Sequence, residues 1–111
     1  MSFEPELSPA EVQETVEETI ENNEVALFMK GTELMPQCGY SRKALGLIGQ
    51  HRDDVATVDV LQATDAFREA LSEYSGRETI PQTFVDGEFV GGSDILEQLD
   101  ESGDLAETLN A

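Results

Sequence analysis

The sequence predicts an α/β fold: a four-stranded mixed sheet with about five helices on its two faces. Three observations carry that expectation. Val25-Ala26-Leu27-Phe28-Met29 is a short, unbroken apolar run, the pattern of a strand buried on both faces and therefore central. Asp86-Gly87 separates two short strand-like runs, and this dipeptide favours the type I′ turn of a hairpin. Helical periodicity fills the gaps between the earlier strands. Strands joined through a helix run parallel by a right-handed crossover.

The elements follow in order. Ser8-Pro9-Ala10-Glu11 reads as a helix start: Ser8 caps, Pro9 suits the first helical position, and Glu11 completes a capping box. This helix runs to about Asn22, with Val12, Val16 and Ile20 on one face. After the central strand, Lys30 to Gln37 is a loop with Gly31, Thr32 and Pro36. Cys38 follows. From about Gly39 a helix carries Ala44, Leu45, Leu47 and Ile48. Thr57-Val58-Asp59-Val60 alternates as a second strand. Asp65 to Tyr74 is a helix, with Phe67, Ala70, Leu71 and Tyr74 spaced for one face. Gln82–Val85 and Glu88–Val90 form the hairpin, ended by Gly91-Gly92. Ser93-Asp94 opens a helix with Ile95, Leu96 and Leu99. Gly103 breaks it, and a last short helix runs from about Asp104 to Leu109.

A length of 111 residues suits one domain, expected to span residues 1–111. No stretch approaches the roughly 20 apolar residues of a membrane span. Met1 to Glu6 lacks the basic-then-apolar pattern of a secretory signal, so a soluble, cytoplasmic protein is expected. Twenty-four acids face six Lys and Arg, for a formal charge of −18. Such a field repels nucleic acid. An acid excess can mark disorder, but apolar periodicity continues along this chain. The expectation is a folded protein adapted to high salt, as in a halophilic archaeon. At about 1 M salt the Debye length is roughly 3 Å, so the surface hardly repels itself. One cysteine excludes an internal disulfide, a CxxC dithiol and a four-cysteine zinc site. Thiolate ligation of a metal must borrow ligands from another molecule.

Cys38 follows a strand and a loop and precedes a helix. Open N–H groups and the dipole at a helix start favour an anion, and a thiol there ionises more readily and becomes a nucleophile or metal ligand. Its neighbours Pro36, Gln37, Gly39 and Ser41 are turn-forming and polar, unlike those of a core cysteine. The six cations are Lys30, Arg42, Lys43, Arg52, Arg68 and Arg77. Their sum would form a positive patch for an anionic ligand. Lys30 and Arg68 are assigned to a ligand carboxylate, and Arg52 to surface ion pairing. Gly91-Gly92-Ser93-Asp94 is a glycine turn into a helix start. It would hold a zwitterion, with N–H groups for a carboxylate and Asp94 for an ammonium. Helix capping is the other explanation of Asp94. Pro81, by base rate, would be trans. A cis bond would free the backbone of Ile80 to pair with an extended peptide. His51, the single histidine, falls at the far end of the Cys38 helix and is read as structural or surface.

Four segments then resemble the monothiol glutaredoxins: Leu27-Phe28-Met29-Lys30-Gly31-Thr32, Pro36-Gln37-Cys38-Gly39-Tyr40-Ser41, Thr79-Ile80-Pro81-Gln82, and Asp86-Gly87-Glu88-Phe89-Val90-Gly91-Gly92-Ser93-Asp94. The resemblance covers roughly Val12 to Leu109. It implies a thioredoxin-like fold and a site for glutathione or another low-molecular-weight γ-glutamyl thiol. Lys30 and Arg68 would meet the glycine carboxylate, Ile80 before a cis Pro81 would pair with the cysteine backbone, and Ser93 and Asp94 would hold the γ-glutamyl end. It further implies a [2Fe–2S] cluster shared between two chains, ligated by Cys38 of each and by two glutathione thiols, which answers the need for four thiolates. The chain would be a homodimer with the cluster and a monomer without it.

Three positions depart from the family pattern. Tyr40 stands in Cys-Gly-Phe-Ser where phenylalanine is usual. Arg77-Glu78 replaces a Trp-Pro pair, which removes an aromatic wall and adds charge. Ser93 replaces a second cysteine, so no internal disulfide can form there. Two functions follow from the resemblance. One is delivery of the cluster to apo iron–sulfur proteins. The other is monothiol exchange on glutathione mixed disulfides, which one cysteine suffices to perform. A redox-inactive interaction module is the third, plainer reading.

Overall fold

The structure, a computed structural model, describes residues 7–111, so the acidic segment Met1 to Glu6 lies outside the described residues. The elements are α1 (Pro9–Asn22), β1 (Val25–Met29), α2 (Gly39–Gly49), β2 (Ala56–Asp59), a 3-10 turn (Val60–Gln62), α3 (Thr64–Ser75), β3 (Gln82–Val85), β4 (Glu88–Gly91), α4 (Ser93–Ser102) and α5 (Leu105–Thr108). The sheet order is β2-β1-β3-β4. β1 is parallel to β2 and antiparallel to β3, and β3 and β4 form an antiparallel hairpin. Asp86 and Gly87 both have positive φ, 51° and 82°, the type I′ geometry that their sequence favours.

β1 is buried along its whole length because it is central and its side chains alternate between two cores. Ala26 and Phe28 join Val12, Val16, Ile20, Phe67 and Leu71 beneath α1 and α3. Val25, Leu27 and Met29 join Ala44, Ile48, Leu96 and Leu105 beneath α2, α4 and α5. α1 starts as expected: the Glu11 N–H donates to Ser8 Oγ at 3.2 Å, and the Ser8 N–H donates to Glu11 Oε1 at 3.0 Å. Among the described residues no helix is long and apolar enough to cross a membrane.

Three details differ from the sequence pattern. Val60 opens the 3-10 turn instead of ending β2, because the Asp59 carboxylate accepts the Leu61 N–H at 2.9 Å and caps that turn. β2 is half-buried throughout instead of alternating, as an edge strand. Tyr74 is 43% exposed, since the last turn of α3 overhangs the core before its left-handed cap at Gly76.

Register decides where the loops meet. Met29 pairs with Asp59, Phe28 with Gln82, and Thr83 with Gly91. The exit of β1, the exit of β2, the entry of β3 and the exit of β4 therefore share one end of the sheet. Lys30, the start of α3, Ile80-Pro81 and Gly92 all lie at that end.

Candidate active site

The loop after β1 folds back on itself. The Gln37 N–H donates to the Lys30 carbonyl at 2.9 Å, and Thr32 and Met35 exchange two backbone bonds of 3.2 Å. Gly31 makes this possible: its φ is +93°, and a Cβ there would lie 2.5 Å from the Met35 carbonyl oxygen and 2.6 Å from the Gln37 nitrogen. The Asp59 carboxylate accepts the Gly31 N–H at 2.9 Å. It therefore ties the loop to the 3-10 turn that it also caps.

This fold-back delivers Cys38 to the N-cap of α2, with extended φ and ψ of −150° and 136°. The thiol is partly exposed, and no side-chain cap closes the helix start. Its pKa is lowered, chiefly by the Ser41 N–H, then by the Tyr40 N–H, the Ser41 hydroxyl and the charge of Lys30, while partial burial opposes them. None of these donors stands at full capping geometry to the sulfur. The effect is the summed pull of open N–H groups on a nearby thiolate. Ser41 is fully buried, and its Oγ accepts the Lys30 N–H at 3.0 Å. One serine thus joins the end of β1 to the first turn of the Cys38 helix.

Beside this site lies a groove of about 630 Å³, lined by Arg77, by residues 79–81 and 89–95, and by Gln98, and reached by Tyr40. Ile80, Ser93 and Asp94 line it, as do Arg77 and Ile95. The Ile80–Pro81 bond is cis, as the resemblance implies and the base rate alone does not. Ile80 stands outside the ladder, which begins at Gln82. Gly92 is the N-cap of α4, and no side chain caps that helix. A Cβ on Gly92 would approach the Pro81 carbonyl oxygen to 2.9 Å, so the two segments meet there.

The site residues expected from the sequence are only partly gathered. Ile80, Ser93 and Asp94 share the groove; Lys30, Arg68 and Cys38 do not line it. The charge of Lys30 is the least of the influences that lower the Cys38 pKa. Arg68 lies on α3 with Asp65 at 3.8 Å. Asp94 does not cap α4: Gly92 holds the cap position, and Asp94 sits in the first turn without a capping bond. Of the six cations expected to sum into one patch, three are taken up by acids: Lys43, Arg52 and Arg68. Lys43 pairs with Glu97. Arg52 pairs with Glu24 and Asp54 and donates to the Leu109 carbonyl at 2.8 Å, which raises its pKa further. Lys30, Arg42 and Arg77 take no ion pair among the described residues. His51 lies beyond the end of α2, exposed and 3.9 Å from Asp100.

Two supporting residues were not legible as such in the sequence. Gln82 is fully buried, and its Nε2 donates to the carbonyls of Arg77 and Thr79 at 2.8 and 2.9 Å, which shapes the wall before Pro81. A glutamine opening a buried strand was the available signal. Asp59, an acid at the end of a strand, was the other.

The glutaredoxin family model matches residues 25–90. An uncharacterized monothiol glutaredoxin, ycf64-like, from a Synechocystis strain is 43% identical over 89% of this chain and 92% of its own. The mitochondrial monothiol glutaredoxin-5 of Saccharomyces cerevisiae is 41% identical over 89% of this chain and 67% of its own. Among solved structures, reduced apo GrxS14 of poplar superposes with a TM-score of 0.77 at 35% identity, covering 91% of this chain and 92% of that one.

Proposed function

The chain belongs to the glutaredoxin family, alongside its monothiol members, and from that premise we propose that it carries a [2Fe–2S] cluster and delivers it to apo iron–sulfur proteins. The observation that carries this reading is the lone Cys38, partly exposed and readily ionised beside a groove of peptide size. A [2Fe–2S] cluster bound by cysteine needs four thiolates. This chain has one cysteine, and among the described residues no group of three His, Cys, Asp or Glu could hold a metal. The residues therefore fit the cluster as a quarter of its ligand set. A homodimer supplies two thiolates, and two molecules of glutathione or a similar γ-glutamyl thiol supply the rest. In each half, the Ile80 backbone would pair with the cysteine of the tripeptide, Ser93 and Asp94 would hold its γ-glutamyl end, and Lys30 and Arg68 would meet its glycine carboxylate. Without the cluster nothing links the halves, and the chain is a monomer.

Anaerobic reconstitution with iron, sulfide and glutathione tests this. The expected product is a brown dimer with about one cluster per two chains, absent in Cys38→Ser. A colourless monomer from wild-type protein under the same conditions would overturn the proposal.

The lowered thiol pKa favours a second reading, exchange on glutathione mixed disulfides. The Cys38 thiolate attacks the glutathione sulfur of the mixed disulfide, and the S–S bond breaks. The target protein leaves as a thiolate that takes up a proton. A second glutathione thiolate then attacks Cys38–SG, releases glutathione disulfide and restores the Cys38 thiolate. Turnover in a glutathione-coupled disulfide assay, lost in Cys38→Ser, is the result expected of it.

A further inference from the structure

Arg77 is an exposed cation that lines the groove and takes no ion pair among the described residues. Its main chain is clamped: the carbonyl accepts from Gln82 Nε2 at 2.8 Å and from Ser75 Oγ at 3.1 Å, and the N–H donates to Ser75 Oγ at 3.1 Å. The buried Gln82 thus fixes where the side chain starts. Arg77 lines the groove together with Ser93 and Asp94, and its guanidinium takes no ion pair among the described residues. Acids outnumber cations four to one in this chain, and Lys43, Arg52 and Arg68 each have an acid within reach. An unpaired guanidinium in a groove is therefore available for an incoming anion.

We propose that Arg77 sets the ligand specificity of this groove by gripping the α-carboxylate at the γ-glutamyl end of the bound thiol. The inference rests on the thiol site proposed above and adds a residue to it. The γ-glutamyl end carries an ammonium and a carboxylate on one carbon. Asp94 attracts the first and repels the second, while the uncapped N–H groups at the start of α4 favour the second. Arg77 in the same groove adds a full positive charge to those N–H groups, and a guanidinium can hold a carboxylate by two hydrogen bonds. The net charge of −18 adds a field that repels any anionic ligand, which a local cation offsets. Lys30 and Arg68 lie outside the groove and are placed for a carboxylate at the other end of the ligand.

The test is the equilibrium constant for forming the Cys38 mixed disulfide, read by intact-mass spectrometry against defined thiol–disulfide pairs. Three probes separate the ligand's groups: glutathione, γ-glutamylcysteine, and 4-aminobutanoyl-cysteinylglycine, which lacks the α-carboxylate. Arg77→Ala should lower the constant about 5- to 10-fold for the first two and leave the third unchanged, with partial recovery in Arg77→Lys. The Arg77 side chain donates no hydrogen bond within the described protein, so the melting temperature should hold. An equal loss for all three probes, or no loss, overturns the assignment to the α-carboxylate. If the wild-type chain forms no mixed disulfide with any probe, the thiol site itself falls and takes this inference with it.

Discussion

Helices α1 and α2 begin in opposite ways. α1 closes its start with a reciprocal pair between Ser8 and Glu11, which also holds the Glu11 carboxyl below its usual range. α2 places a cysteine at the same structural position and leaves its N–H groups without a side-chain cap. The first arrangement spends the open donors on stability. The second keeps them for an anion, and the anion available is the Cys38 thiolate. α4 repeats the second pattern with Gly92 at its cap, at the same end of the sheet. Two of the open helix starts, those of α2 and α4, therefore lie at the end of the sheet where the ligand site is.

Ser41→Ala should have the largest effect on this contrast. It removes the acceptor of the Lys30 N–H and a hydroxyl that favours the thiolate. A buried N–H left unpaired costs about 1–3 kcal/mol. In the pH profile of alkylation by iodoacetamide, the midpoint should move up only part of the way toward that of an ordinary thiol, because the leading Ser41 N–H remains in the variant. Because the folded state holds the thiolate more tightly than the unfolded chain does, Cys38 adds stability above the ordinary thiol range. That contribution fades as pH falls through the lowered value. An unshifted profile in the variant would mean that Ser41 is merely structural.

Ser8→Ala comes next. Loss of the cap should cost about 1 kcal/mol and lower the melting temperature by roughly 4 °C or more, while the alkylation rate of Cys38 stays at the wild-type value. A change in that rate would show that the two helix starts are coupled. Cys38→Asp should do the converse by filling the open cap. The gain is about 0.5–1 kcal/mol, from capping and the helix dipole together, with thiol chemistry abolished. A fall in melting temperature would show that the cap position of α2 is closed to a carboxylate by its surroundings.

Much of this contrast is legible in the residues themselves. Ser-Pro-Ala-Glu announces the closed start of α1, and Cys38 after a turn-rich loop announces the open one. Capping, turn chemistry and the alternating burial of β1 act over a few residues, so local pattern reveals them. What the pattern misses depends on partners far along the chain. Asp59 binds the Gly31 N–H across 28 positions, and that bond, with its capping of Leu61, ends β2 one residue before Val60. The cations read as one patch because their acids, Glu97 for Lys43 and Glu24 for Arg52, are distant in sequence. Asp94 looks like a cap until the turn places Gly92 there. The bond before Pro81 is cis, which the local residues do not require and the family resemblance supplied.

Salt gives the smallest expected effect on the active site, and the most discriminating. The repulsion among surface acids is long-ranged and should be screened away between roughly 0.1 M and about 2 M KCl, so the melting temperature should rise. The forces on Cys38 are mainly short-ranged: backbone N–H groups of Ser41 and Tyr40 lead, and the charge of Lys30 comes last. The midpoint of the alkylation profile should therefore move little over the same range. A flat melting temperature would count against adaptation of this surface to high salt. A large shift of the midpoint would mean that the distant acids, and not the open start of α2, govern the ionisation of the thiol.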